Sequence, residues 1–285
     1  MASPGRLVLA RMRRDRSAVV GAAAIVGLCA IAAFAPWIAP YDYAAQPDIV
    51  GLQYRPPSSA FLFGTDQFSR DVFTRVLYGA RVSLSVALLS VALAITVGTA
   101  FGAISGFLGG RVDSGMMRVN DALLSIPRIL ILIAVLSLWG RVTIPFLVLL
   151  LGLTGWFGVS RLVRGQVLAT REQEFVLAAR ALGARRRRVL LRHVIPNVLS
   201  PVIVAATLGV GHVVVLEAGL SYLGIGVPQP RASWGNIIQD GAGHIATYWW
   251  IAFFPGMAIV LTVMAFNILG DALRDALDPR QVDGR

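Results

Sequence analysis

One uncharged run of sequence decides the fold, and from Val82 to Gly110 it reads VSLSVALLSVALAITVGTAFGAISGFLGG. An α-helix rises about 1.5 Å per residue, so roughly 20 apolar residues cross about 30 Å of hydrocarbon, and this run is longer. Four other runs are also uncharged and mostly apolar, so the sequence predicts at least five membrane-spanning helices. These four runs are Ser17 to Tyr41, Val142 to Ser160, His193 to Leu216 and Gly241 to Gly270.

A sixth span is predicted from Ala122 to Gly140, although Arg128 interrupts it directly after Pro127. Proline is tolerated at a helix start, and an arginine near the interface can extend its side chain to water. The first run is too long for the core of a cleaved signal peptide, and no small-residue cleavage site precedes Pro36. The expected fold class is therefore an all-α integral membrane protein with six transmembrane helices.

The composition agrees with a chain whose main solvent is lipid. The sequence is 56% hydrophobic and 14% charged, whereas about 25% of the residues of an ordinary globular domain are charged. All 26 basic residues are arginine, and the net charge is +11. These arginines lie between hydrophobic blocks and form no basic surface interleaved with aromatic residues, which argues against nucleic acid as a partner. The single cysteine, Cys29, excludes an internal disulfide and a cysteine-rich metal site.

The distribution of arginine predicts the orientation in the bilayer. With Arg128 set aside, 19 arginines fall in the termini and loops on one side of the six spans and 6 fall on the other side. The arginine-rich side is the cytoplasmic one, so both termini are expected in the cytoplasm. The expected organisation is a cytoplasmic N-terminus with the first helix (1–40), an extracytoplasmic segment (41–81), a five-helix core (82–272) that includes a cytoplasmic loop (161–192), and a cytoplasmic tail (273–285).

Small residues recur at every fourth position of the second span. Gly98, Gly102 and Gly106 therefore lie roughly on one face of the helix, where the missing side chains allow another helix to approach closely. The alternative interpretation is that membrane helices simply contain more glycine than soluble ones.

The predicted cytoplasmic loop contains a short amphipathic helix, which Gly183 is placed to end, and Pro196 can then open the next span. Such a helix can bind in a groove of another protein, or it can rest on lipid headgroups with Arg185 to Arg188 as its anchor. Spacing alone does not choose between the two. The residues of its apolar face are Phe175, Ala178, Ala179 and Leu182.

The same loop resembles the EAA loop of binding-protein-dependent ABC importer permeases. That pattern is Glu-Ala-Ala, three residues, Gly, nine residues, and Ile-x-Leu-Pro. Leu177, His193 and Ile195 replace the Glu, Ile and Leu of the pattern. The residues in register are Ala178, Ala179, Gly183 and Pro196.

Further motifs resemble the dipeptide/oligopeptide permease family, in its "C" subunit branch, over nearly the whole chain. They are Gly64-Thr-Asp66, Arg70-Asp71, the segment from Glu217 to Gly224, and the segment from Gly270 to Pro279, with Ser69 where the family usually has glycine.

This resemblance implies the type I ABC importer permease fold and a machine of several chains. A homologous "B" permease subunit would share the pathway, two ATPase subunits would bind ATP and Mg, and an extracytoplasmic solute-binding protein would deliver the solute. The EAA helix would then couple closure of the ATPases to rotation of the permease halves. This chain has no lysine and therefore no Walker phosphate-binding loop of its own.

The remaining polar residues predict no catalytic, cofactor or metal site. The three histidines, His193, His212 and His244, show no metal-ligand spacing. Glu217 and Asp271 end apolar spans, where they can act as gating or pairing groups or can simply be solvated at the interface. Ser69 to Arg81 is expected to form a short helix on the outer surface, either as a docking surface for the binding protein or as a lid.

Two other classes of protein are disfavoured. A secondary transporter driven by an ion gradient is expected to carry ionisable groups at mid-membrane, and an intramembrane enzyme needs a catalytic pair there. Among ABC importers, the expected solutes are dipeptides or oligopeptides, with nickel, glutathione or another small solute as the alternative.

Overall fold

The computed structural model describes residues 10–140 and 142–277, and the ends of both predicted cytoplasmic termini, together with Arg141, lie outside these ranges. The described chain is helical apart from loops and one isolated β-bridge. A π-helical turn spans Leu190–Val194. The helices are α1 Arg16–Ile38, α2 Val72–Leu108, α3 Gly110–Leu124, α4 Arg128–Trp139, α5 Ile144–Arg171, α6 Glu174–Ala181, α7 Arg186–Val189, α8 Ile195–Tyr222, α9 Trp234–Ala242 and α10 Trp250–Leu277.

Five of these helices are long and apolar enough to cross a membrane, and the count is six if one bent pair is taken as a single span. The five clear predictions from the sequence correspond to α1, α2, α5, α8 and α10. The fold class expected from the sequence is thereby confirmed.

The predicted sixth span is not one straight helix. In place of a continuous helix from Ala122 to Gly140, α3 and α4 meet at an angle of 71°. Pro127 is the physical cause, because its ring disfavours helical backbone at the preceding residue and it lacks an N–H group. Helix α4 starts at Arg128, directly after this proline, and its 12 residues rise only about 18 Å.

Several helix ends lie beyond the predicted apolar runs. Helix α2 already begins at Val72, so the separate surface helix expected from Ser69 to Arg81 is wrong, and those residues lead into α2. Asp71 fixes this start, since its carboxylate accepts a hydrogen bond from the backbone N–H of Thr74 at 2.8 Å. At its C-terminal end, α5 continues about three turns past the predicted limit, and α8 continues about two turns past its own.

The last predicted span also divides. Residues near Gly241 belong to the short helix α9, and the membrane helix α10 begins only at Trp250. Ser233 starts α9 with a capping box, in which its hydroxyl and the Asn236 side chain each bond the other's backbone N–H group. The uncharged run therefore contains the end of one helix, a turn and most of a second helix.

The buried core has two parts. The larger cluster joins α2 and α8 to α9, and Trp234 is buried in it with its indole N–H donating to the carbonyl of Val76 at 3.1 Å. The smaller cluster lies at the other end of α2, where residues of α5, α6 and α8 meet. This smaller cluster holds the predicted coupling helix.

Candidate functional site

Helix α6 is attached to the rest of the protein through a buried valine. Val176 is fully buried and packs among the valines of the smaller core cluster, including Val163 and Val167 of α5. Other large apolar residues of this segment point outward: Phe175 is 41% exposed and Leu182 is 89% exposed. An apolar surface of this kind, attached to the core by one buried residue, is suited to binding another protein.

The predicted apolar face of α6 faces away from the core. Phe175, Ala178 and Leu182 are exposed or half-exposed, and Ala179 is half-buried. Val176, which provides the attachment, was not among the residues predicted from the sequence. Val176 lies three residues before Ala179, and this helical spacing could have identified it. The apolar face predicted from Phe175 does not include position 176.

The end of α6 has the geometry expected from its glycine. Gly183 has φ +79°, in the left-handed region that favours glycine. The N–H of Ala184 donates to the carbonyl of Ala179 at 3.1 Å, and the N–H of Gly183 donates to that of Arg180 at 2.9 Å. These two bonds form a Schellman motif that stops the helix. Farther along the chain, Pro196 lies in the first turn of α8.

Arginine side chains surround a pocket of about 500 Å³ beside α6. Arg171 donates to the carbonyl of Gly106 at 2.9 Å and also pairs with Glu172 at 2.9 Å. The guanidinium of Arg180 lies 5.5 Å from the centre of the Phe107 ring, within the range of a cation–π contact. The pocket is therefore electropositive and favours acidic groups of a partner.

The glycines of α2 lie against α5 of the same chain. A Cβ atom at Gly98 would lie 2.7 Å from Cβ of Val159, and one at Gly106 would lie 3.0 Å from the carbonyl oxygen of Arg164. At Gly102 a Cβ atom would overlap the carbonyl oxygen of Ser160. The two helices therefore approach to backbone contact along this face, as small-residue packing allows.

A second link joins α5 to α3. The Nε and Nη2 groups of Arg164 donate hydrogen bonds to the two carboxylate oxygens of Asp113, at 2.6 and 2.7 Å. This is the bidentate geometry that arginine and carboxylate favour. Ser105 of α2 donates a further hydrogen bond to the same carboxylate. The C-terminal half of α5 is thus joined to both α2 and α3.

Comparisons with known proteins identify the family of the chain. Residues 98–283 match the family described as "Binding-protein-dependent transport system inner membrane component", and residues 3–57 match the "N-terminal TM domain of oligopeptide transport permease C". The chain belongs to this family of inner membrane components.

Similar proteins cover almost the entire chain. The oligopeptide transport system permease protein OppC of Bacillus subtilis is 42% identical over 95% of this chain and 88% of the relative. The dipeptide transport system permease protein DppC of the same organism is 39% identical over 95% and 84%. The probable D,D-dipeptide transport system permease protein DdpC of Escherichia coli is 39% identical over 92% and 87%.

At the opposite end of the permease, a buried ion cluster joins the loop before α2 and the first turn of α2 to α9. Asp66 accepts from Arg70 at 2.7 Å and from Arg75 at 2.5 Å, and Asp240 accepts from the same two arginines at 2.9 and 2.7 Å. Burial lowers the pKa of Arg70, as does the neighbouring charge of Arg75. Two cations balance two anions, so the cluster is a neutral structural clamp on this surface.

The two carboxylates predicted as gating or pairing groups have opposite environments. Glu217 is fully buried in α8 and accepts hydrogen bonds from the hydroxyls of Ser83 and Ser221, each at 2.7 Å. It therefore binds α2 to α8 through hydroxyl groups and not through a cation. Asp271 of α10 is exposed and bonds to no described side chain.

Proposed function

We propose that this chain is one of two permease subunits that enclose the solute pathway of an ATP-driven, binding-protein-dependent importer of dipeptides or oligopeptides. The observation that carries the proposal is helix α6, held through the buried Val176 and presenting Phe175 and Leu182 to a partner. The peptide class is supported by the names of the similar proteins, which are oligopeptide and dipeptide permeases.

In this proposal the other subunits supply the remaining parts of the machine. A homologous "B" permease subunit completes the pathway, and an extracytoplasmic binding protein delivers the peptide. Two ATPase subunits bind ATP and Mg, and one of them receives α6 in a groove. The arginines near α6 face acidic residues at the rim of this groove. This chain acts as a non-catalytic subunit.

The contacts of α5 suggest how nucleotide-driven motion reaches the pathway. Displacement of α6 moves the end of α5 through Val176 and the valines of its cluster. Helix α5 is joined to α2 by the glycine face and to α3 by the Arg164–Asp113 pair. These three helices would move as one body, as alternation between inward-open and outward-open states requires.

The proposed orientation places α6 and both termini in the cytoplasm of a bacterial or archaeal cell. The support is the excess of arginine on that side of the spans. The ion cluster of Asp66 and Asp240 then lies outside, where the binding protein docks.

A matched pair of substitutions tests the coupling role. Leu182→Glu places a charge on the proposed docking surface, whereas Leu62→Glu makes the same change at another exposed leucine, in the loop before α2. A charge buried in an apolar contact costs on the order of a few kcal/mol, so Leu182→Glu should weaken ATPase retention on pull-down more than tenfold.

Membrane levels should be normal for both variants, because neither residue lies in a span. Leu62→Glu should retain the ATPases fully. Equal retention of the ATPases by the two variants would show that α6 rests on lipid and that another surface receives the ATPase.

A further inference from the structure

A small pocket with one arginine lies halfway along the long helices. It has a volume of about 120 Å³, and its walls come from α2, α4, α5 and α8. Most of the lining is aliphatic, and among the described residues that form it only Arg128 and His212 are ionisable. These lining residues include no aspartate or glutamate, so the polar character of the pocket is cationic.

The depth of this pocket follows from the helix rise. Gly155, which lines it, lies about 16 Å along α5 from Ile144, and His212 lies about 15 Å from the end of α8 at Tyr222. Both distances are about half of the 30 Å hydrocarbon thickness. The pocket is therefore near the middle of the membrane, where a charged side chain is expensive and marks a functional position.

The guanidinium of Arg128 is held in place but is not neutralised. Its Nε donates to the hydroxyl of Thr154 at 3.1 Å, and one Nη donates to the carbonyl of Leu151 at 2.6 Å. A guanidinium has five N–H donors, so three remain, and no carboxylate among the described residues pairs with it. Gly155 makes room for the group, since a Cβ atom there would lie 3.2 Å from its Nη2.

We propose that this pocket, with Arg128 at its base, binds a carboxylate group of the solute partway through the membrane. The inference rests on the proposed function, because it requires a water-filled pathway beside α8. An unpaired arginine facing hydrocarbon would be costly, whereas one facing a water-filled pathway is solvated and remains free to pair with an anion that passes. Every peptide with a free C-terminus carries a carboxylate, and the free N–H groups of Arg128 match its two oxygens.

The first test measures whether an anion prefers the pocket in the assembled complex. In a Cys29→Ser background, Ala205→Cys places a thiol on the pocket wall. Its labelling rates by an anionic (sulfonatoethyl) and a cationic (trimethylammonioethyl) methanethiosulfonate give a ratio. We expect this ratio to be at least tenfold higher with Arg128 than with Arg128→Gln, and to remain high with Arg128→Lys.

A control thiol separates this effect from general electrostatics. Thr207 lies on the same helix but lines a different groove, so the labelling ratio of Thr207→Cys should not change with Arg128→Gln. A ratio at Ala205→Cys that is unaffected by Arg128→Gln would mean that a partner carboxylate neutralises the arginine. A thiol that neither reagent reaches in any nucleotide state would mean that the site is dry. Either result overturns the proposal.

The second test uses the solute class directly. Tri-alanine should slow anionic labelling of Ala205→Cys at least threefold, tri-alanine amide should not, and Arg128→Gln should abolish the protection. Equal protection by both peptides, or none, overturns the proposal. ATP-driven uptake of tri-alanine by the wild-type complex is measured in parallel. Uptake without selective protection refutes only the pocket, whereas absence of uptake refutes the proposed peptide importer itself.

Discussion

Replacement of Gly102 by alanine tests whether α2 and α5 must stay in backbone contact. The added methyl carbon would lie 2.9 Å from Cβ of Val163 and 3.0 Å from the backbone nitrogen of Arg164, and it would overlap the carbonyl oxygen of Ser160. Carbon atoms attract one another best at about 3.5–4.0 Å, and helix backbone cannot rotate away as a flexible side chain can. The helices must therefore separate by about 0.5–1 Å along this face.

The magnitude follows from a matched alanine substitution. Forced overpacking costs about 1–3 kcal/mol, while replacement of a helical glycine by alanine returns up to about 1 kcal/mol of helix propensity. Gly165→Ala on α5 gains the same propensity without a clash, because no described atom outside the adjacent backbone of α5 lies within 4 Å of the position that its methyl group would take. The difference between the two variants therefore isolates the overlap, at about 1–3 kcal/mol.

The assay is the thermal midpoint of the purified complex, together with the ratio of peptide transported to ATP hydrolysed. At roughly 2 °C or more per kcal/mol, Gly102→Ala should melt several degrees below Gly165→Ala. Its transport ratio should also fall, since α2 would no longer follow α5. Equal midpoints and equal transport ratios would refute the rigid contact and leave the glycines without a packing role.

Three further predictions concern the backbone and the orientation. Gly183→Val should weaken ATPase binding, since a β-branched residue at φ +79° costs about 1–2 kcal/mol. Gly183→Asn should largely preserve ATPase binding, and equal binding of the two variants on pull-down would contradict the prediction. Ser69 has φ +59° and a buried hydroxyl without a hydrogen-bond partner among the described residues. Ser69→Gly should relieve this backbone strain and raise the thermal midpoint, and an unchanged or lower midpoint would be evidence against strain. In a Cys29→Ser background, Gln173→Cys should be protected from an impermeant thiol reagent in intact cells. Labelling of this thiol would contradict the predicted orientation.

Local chemistry was enough to predict some features of the structure. Five uncharged runs predicted the five long spans, because transfer of apolar side chains into lipid depends mainly on local composition. Gly183 predicted the left-handed end of α6, and Pro196 predicted the first turn of α8, because both residues restrict the backbone by their own covalent structure.

Other features depended on contacts between distant parts of the chain. The early start of α2 coincides with the burial of Arg75 against Asp66 and Asp240, and the last of these lies 165 residues farther along the sequence. The hydropathy pattern leaves the segment that holds this arginine outside the predicted span, since it cannot represent a charge that a distant partner neutralises.

The candidate site shows the same division. The sequence located the amphipathic helix α6, but only the packed structure identified Val176 as its attachment and left Phe175 exposed. Arg128 was expected near the interface, and only the break at Pro127 and the packing of α4 on α5 placed it in a pocket among the long helices. Local residues determined which helices form and where some must end, whereas the distances between helices decided which charges are buried, because burial depends on neighbours from the whole chain.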